Sequence, residues 1–127
     1  MNILITGSTS GIGLQLARDY LARGNTVFCC GRNTASLTSL IRDFPDFAQI
    51  LCFDTADRID CSERLEKLPA LDLVILNAGT CEYINAANFD SELYERVVKT
   101  NLIGTANCLE FLIPKLKPGG SLPIMGS

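Results

Sequence analysis

Histidine is absent from this chain of 127 residues. That absence removes both the ligand set of a Cys/His zinc site and the base of a His-centred catalytic triad. Cysteine occurs six times, but never as a Cys-x-x-Cys pair, and Cys29 and Cys30 are adjacent. The spacing suits neither a metal cluster nor a disulfide framework. The cysteines read instead as small buried hydrophobes in a reducing compartment. Basic clusters are missing too. Eleven Lys+Arg against fourteen Asp+Glu leave a net charge of −3, which speaks against a nucleic-acid-binding surface. No apolar run approaches the length that crosses a bilayer, and no signal-peptide pattern opens the chain. A soluble, cytoplasmic protein with no membrane partner is the expectation.

Against these absences stands a high apolar content, 47% with only 20% charged residues, as suits a sheet covered on both faces. The length is that of one domain, residues 1–127. The richest stretch is the first. Ile3, Leu4 and Ile5 form an apolar run typical of a buried parallel strand, and Thr6-Gly7-Ser8-Thr9-Ser10-Gly11-Ile12-Gly13 comes directly after it. From Gly11 to Arg23 the pattern is helical, with Ile12, Leu16, Tyr20 and Leu21 as its apolar stripe and Gly24 as a left-handed cap. Strand, glycine turn and helix N-terminus together make an anion site, because the first N–H groups of the helix and its positive dipole end face the turn. Glycine lets a diphosphate approach the backbone and lets Gly7 take positive φ. An isolated Gly-x-x-x-Gly-x-Gly would more simply be a turn; the strand before it and the helix after it favour a nucleotide.

Further along, strands are expected over residues 26–30, 49–53, 71–76 and 121–126. A helix starting at Asn33 or Thr34 carries Leu37, Leu40, Ile41 and Phe44 inward, and Pro45 stops it. Residues 56–68 suggest a short surface helix with Ile59, Leu65 and Leu68 buried. After a loop through Asn88, a long helix capped by Asp90 or Ser91 runs through Leu93, Val97, Val98, Leu102 and Leu109 toward Leu112, interrupted at Gly104 and ended by Pro114 and Pro118-Gly119-Gly120. Strands alternating with helices imply right-handed crossovers and a doubly wound α/β parallel sheet of Rossmann type, order 3-2-1-4-5, with ligands above the strands' carboxyl ends. Gly7, Arg32, Asp54, Asn77 and Ser127 all fall at such ends. Between Gly24 and Asn33 nothing is acidic, and Arg32 stands where an arginine would pair with the 2′-phosphate of NADP; NAD is the less suited cofactor. Its plainer reading is a solvated surface arginine.

Thr6-Gly7-x-x-x-Gly11-Ile12-Gly13 resembles the fingerprint of the short-chain dehydrogenase/reductase family, and the resemblance runs the length of the chain. It implies that Gly7, Ser8, Thr9, Ser10, Gly11, Ile12 and Gly13 hold the cofactor phosphates, with Arg32 and Asn33 at its ribose. It implies further that Asp54 and Thr55 meet the adenine, and that Asn77-Ala78-Gly79 lies beside the cofactor. Asn101, in Asn101-Leu102-Ile103-Gly104-Thr105, matches the asparagine that holds a water in the family's proton relay, and Ser127 the serine that hydrogen-bonds the substrate carbonyl. Singly, Asp54 could be a helix cap, Asn77 a turn former, Asn101 a polar break and Ser127 a chain end. Jointly those readings are poor.

Two departures stand out. Pro123 falls within the fifth strand, where the family carries a branched aliphatic. More seriously, the family's acid/base is a tyrosine with a lysine four positions later, whereas Tyr20, Tyr83 and Tyr94 have Gly24, Ala87 and Val98 there. The resemblance therefore implies an NADP-dependent oxidoreductase acting on a small carbonyl or alcohol, truncated after the fifth strand and inactive alone. A non-catalytic nucleotide-binding or sensor module is the alternative. An uncovered strand edge and the long helix imply a homo-oligomer.

Overall fold

Ile3, Leu4 and Ile5 are fully buried because their strand, β1 (Asn2–Ile5), stands in the middle of the sheet and is covered on both faces. The computed structural model describes residues 1–9, 11–77, 87 and 89–125. In it β2 (Thr26–Gly31), β3 (Ala48–Cys52), β4 (Leu71–Ile75) and β5 (Leu116–Ser121) join β1 in one sheet of order β3-β2-β1-β4-β5, all pairs parallel. The expected order is the observed one.

Strand alternation sorts the apolar residues into two cores. On one face Ile3, Ile5, Val27, Cys29 and Ile75 meet α1 (Gly11–Ala22) and α2 (Thr34–Asp43) through Ala17, Leu21, Leu37 and Leu40. On the other, Leu4, Phe28, Cys30, Val74 and Leu76 meet α3 (Arg58–Leu65) and α5 (Gly104–Leu112) through Cys61, Leu65, Cys108 and Leu112. Side-chain caps start three helices. Asn33 accepts from the Ala35 N–H at 3.0 Å, Asp57 from Ile59 and Asp60, and Asp90 from Glu92 at 2.9 Å.

Several boundaries and phases differ from expectation. With Asp57 as cap, α3 begins at Arg58, so its inward positions are Cys61 and Leu65, and Ile59 is 70% exposed. In α1 the inward line is Gly13, Ala17 and Leu21, and Ile12 is 62% exposed. The long helix is two helices. A π turn, Lys99–Ile103, separates α4 (Ser91–Val98) from α5. A π turn inserts an extra residue and rotates the helix beyond it, so the expected stripe breaks. α4 buries no residue, Leu102 is 66% exposed, and α5 turns Gly104, Cys108 and Leu112 inward.

The last strand starts earlier than expected. β5 contains Pro118-Gly119-Gly120, and its pairing shifts register between Leu71↔Leu116 and Leu73↔Ser121. An edge position tolerates proline and glycine, since one side needs no ladder partner. Pairing lapses before Pro123, which has no N–H to donate, and resumes where the Leu76 N–H bonds to the Pro123 carbonyl at 3.1 Å and Met125 N–H to Leu76 at 3.0 Å.

At the amino end of the sheet, the Asp72 carboxylate accepts from the Asn2 N–H at 2.8 Å and from Lys117 Nζ at 3.2 Å, joining β1, β4 and β5. These donors, the Asn2 amide foremost, hold its carboxyl below the usual range. A carboxyl depressed in the folded state stabilises above its unfolded pKa, and that contribution is lost as pH falls through the folded value. Asp72→Asn should therefore lower the urea midpoint at neutral pH, by a margin that shrinks as the pH is taken down through and below the ordinary carboxylate range.

Candidate cofactor site

Because every strand is parallel, the loops after β1, β2, β3 and β4 open at one edge of the sheet, and each brings a polar or glycine residue there. The turn after β1 is fastened on both sides. Thr6 donates its N–H to the Ile75 carbonyl at 3.0 Å, and its Oγ1 accepts from the Asn77 N–H at 2.9 Å. Ser8 donates its N–H to Cys30 at 3.0 Å and its hydroxyl to Ile5 at 2.7 Å. Both side chains are buried. Ser8 thus differs from the expectation that it faces phosphate: its donors are spent holding the turn to β1 and β2.

The glycines divide the work. Gly7 and Gly11 have φ of 67° and 59°, which β-carbons disfavour. A Cβ on Gly11 would meet nothing within 4 Å, so this left-handed corner at the start of α1 opens to free space. A Cβ on Gly13 would lie 2.0 Å from the Gly7 carbonyl oxygen and 2.6 Å from Asn77 Nδ2. Gly13 serves the seating of α1 on the turn, whereas Gly11 leaves room above it. That open corner, with the unpaired N–H groups a helix start presents, fits a diphosphate. Ile12 adds an exposed apolar side chain beside it.

At the end of β2, Arg32 is exposed, and among the described residues no ion pair includes it. Its neighbour Asn33 commits Oδ1 to capping α2. After β3, Asp54 accepts the Ala56 N–H on Oδ1 at 3.0 Å, which leaves Oδ2 with no hydrogen bond among the described residues. The Thr55 carbonyl accepts from Asn107 Nδ2 at 2.9 Å and from the Cys61 thiol at 3.4 Å. Asn77 reaches back with Nδ2 to the Gly7 carbonyl at 3.5 Å. Asn101 lies half-buried inside the π turn, its carbonyl accepting from Thr105 Oγ1 at 2.7 Å. Ser10, Ala78, Gly79 and Ser127 lie outside the described residues.

Three contributors are not evident from the sequence. A Cβ on Gly31 would come 2.5 Å from Thr9 Cγ2 and one on Gly104 2.7 Å from Thr55 Oγ1, so a side chain at either place would make its threonine neighbour shift. Asn107 ties α5 to the loop after β3. Only the two glycines carry a signal, each falling where an apolar residue would otherwise suit a strand end or helix face. Beneath the turn, burial pushes the Cys29 thiol up to about 12 and that of Cys30 well above its usual range, so both are inert packing groups.

Residues 1–125 match the family model of the short chain dehydrogenases. An NADPH-dependent pterin aldehyde reductase of Arabidopsis thaliana is 31% identical over 123 residues, covering 91% of this chain and 51% of the plant protein. A 3-oxoacyl-[acyl-carrier-protein] reductase of Rickettsia felis is 33% identical over 99 residues, 78% of this chain and 41% of that protein. Among solved structures, the closed form of serine dehydrogenase complexed with NADP+ superposes with a TM-score of 0.88 at 28% identity, covering 100% of this chain and 54% of that one. The chain thus spans about half the length of these relatives. With strand order, glycine turn and a match along nearly all its residues in agreement, this chain belongs to the short-chain dehydrogenase/reductase family.

Proposed function

We propose that the chain is the cofactor-holding part of an NADP-dependent oxidoreductase acting on a small carbonyl or alcohol compound. The observation that carries this is Arg32, exposed at the end of β2 with no carboxylate partner among the described ion pairs and no acidic residue from Gly24 to Asn33. An arginine fork so placed suits a 2′-phosphate, whereas a ribose 2′-hydroxyl calls for an acid. The α1 start with Gly7, Gly11 and Ile12 holds the diphosphate, and Thr9 and Ser10 border it. Asp54 Oδ2 takes the adenine amino group, flanked by Thr55, and Asn77, Ala78 and Gly79 line the cofactor's other side.

When bound, NADP supplies or accepts the hydride. Asn101 holds a water for proton relay, and Ser127 donates a hydrogen bond to the substrate oxygen, a small version of an oxyanion site. The exposed Tyr94, Leu102 and Ile103 favour a homo-oligomer, and the free thiols suit a cytoplasmic setting. The tyrosine–lysine pair missing from these residues favours a second reading for the chain by itself: nucleotide binding without turnover, as in a sensor module.

Calorimetry tests the cofactor assignment. NADPH should bind roughly ten- to a hundredfold more tightly than NADH, the worth of one charge-assisted bidentate contact. Arg32→Ala should erase the difference and Arg32→Asp should reverse it. Equal affinities in the unmutated protein would sink the assignment.

A further inference from the structure

Asp54, half-buried at the end of β3, is held at three of its four polar atoms. Its Oδ1 takes the Ala56 N–H at 3.0 Å, and its carbonyl accepts the Asp57 N–H at 3.0 Å. Both ties are local, of the kind an aspartate makes in any tight turn. The third is not. The Asp54 N–H donates to Asp60 Oδ2 at 3.0 Å, across to the first turn of α3. Oδ2 of Asp54 is left open.

Asp60 is not bonded as its place in the helix would suggest. It stands third in α3, behind the Asp57 cap. A carboxyl there ordinarily turns back to the N–H of the capping residue. That N–H is already given to the Asp54 carbonyl, so Asp60 passes over it to the Asp54 N–H. Its other oxygen, Oδ1, faces Arg64 Nε at 3.8 Å, too far for a hydrogen bond. The short, charge-assisted bond of this half-buried carboxylate therefore goes to the loop.

We propose that Asp60 is a specificity-determining positioning residue, fixing Asp54 so that its open Oδ2 meets the amino group of adenine and rejects hypoxanthine. This role rests on the nucleotide reading above. Adenine offers an N–H on its exocyclic nitrogen. Hypoxanthine has an oxygen there, which repels a carboxylate, but carries an N–H on the adjoining ring nitrogen. A carboxylate free to shift would follow the donor to the ring and tolerate both bases. One held through its backbone would not, because a fixed polar group facing the wrong base is left unpaired. Position, more than charge, separates the two.

Calorimetry on the full 127-residue chain, with NADPH and with its hypoxanthine counterpart, tests the role. The unmutated chain should prefer the adenine form about tenfold, as for one hydrogen bond to a charged group. Asp60→Ala should cut the preference to about twofold, and Asp60→Asn, which keeps an oxygen for the Asp54 N–H, should restore most of it. On an Asp54→Ala background Asp60→Ala should change neither affinity, whereas a purely structural role would weaken binding there as well. Without cofactor, the Asp54 amide should exchange its hydrogen faster in Asp60→Ala and at the parent rate in Asp60→Asn. An unchanged rate in Asp60→Ala would overturn the positioning bond. No preference in the unmutated chain, or one that survives Asp60→Ala, would overturn the specificity role and leave the nucleotide reading standing. A folded chain that binds neither cofactor would overturn both.

Discussion

Gly13→Ala yields a protein about 3 kcal/mol less stable, or worse, that no longer retains NADPH. A single methyl is enough because of where it would go. The added Cβ would meet the Gly7 carbonyl oxygen at 2.0 Å and Asn77 Nδ2 at 2.6 Å, and the first of these is backbone fixed by its neighbours. Thr6 and Ser8, on either side of Gly7, are bonded to three different strands, so the turn cannot give. The start of α1 must move instead, and overpacking of this kind typically costs about 1–3 kcal/mol and occasionally more. The helix-propensity gain of alanine over glycine, about 1 kcal/mol, works the other way and is too small to offset it. Gly11→Ala makes the contrast, for there the methyl meets nothing within 4 Å and only the φ of 59° is strained, at about 1–2 kcal/mol. Urea unfolding with an unchanged m-value, paired with calorimetry, checks both. A Gly13→Ala protein as stable as its parent would refute the packing role.

No turnover is expected when the 127-residue chain is mixed with NADPH and a broad carbonyl panel, even though the cofactor binds. Tyr20, Tyr83 and Tyr94 each lack the lysine four positions on, so neither the group that moves the proton nor the cation that lowers its pKa is in these residues. General acid–base catalysis is worth about 10²–10⁴ in rate. A cofactor ring held only from its adenosine side forfeits further factors of positioning. Absorbance at the reduced-cofactor band, monitored alongside binding, provides the measurement. Sustained multiple turnovers would mean that another residue of this chain replaces the tyrosine, and would remove the case for binding without turnover.

The sheet is legible in the sequence because a strand covered on both faces needs apolar residues without a break, as Ile3-Leu4-Ile5 and the run after Leu71 show. Strand order follows from the dinucleotide-binding fold that the strand–helix alternation and the first glycine turn imply, with its right-handed crossovers. Helix phase is less legible. Ile12 looks inward by hydrophobicity, but the inward place beside Gly7 admits no side chain, and a π turn at Lys99–Ile103 shifts Leu102 outward by adding one residue. Pro118-Gly119-Gly120 looks like an ending, and at a sheet edge it is a strand.

Within the candidate site, residues whose chemistry suits the ligand are visible in the sequence: Arg32, Asp54, and the glycines of the first turn. Those defined by a partner far away along the chain are not. Nothing at Gly31 announces Thr9, and nothing at Asn107 announces Thr55. Ser8 misleads for a related reason. A hydroxyl in a phosphate turn looks the same in sequence whether it points out to an anion or, as here, back to the Ile5 carbonyl.

The inward bonding of that turn bears on inheritance. Thr6, Ser8, Gly13 and Asn77 owe their identities to one another and to the sheet, so a descendant that gave up its nucleotide would still need them to fold. Gly11 would be retained for its backbone angle alone. Ile12 and Arg32, which touch little of the protein, would be free to drift. In such lineages the glycine fingerprint records ancestry, and the surface pair records use.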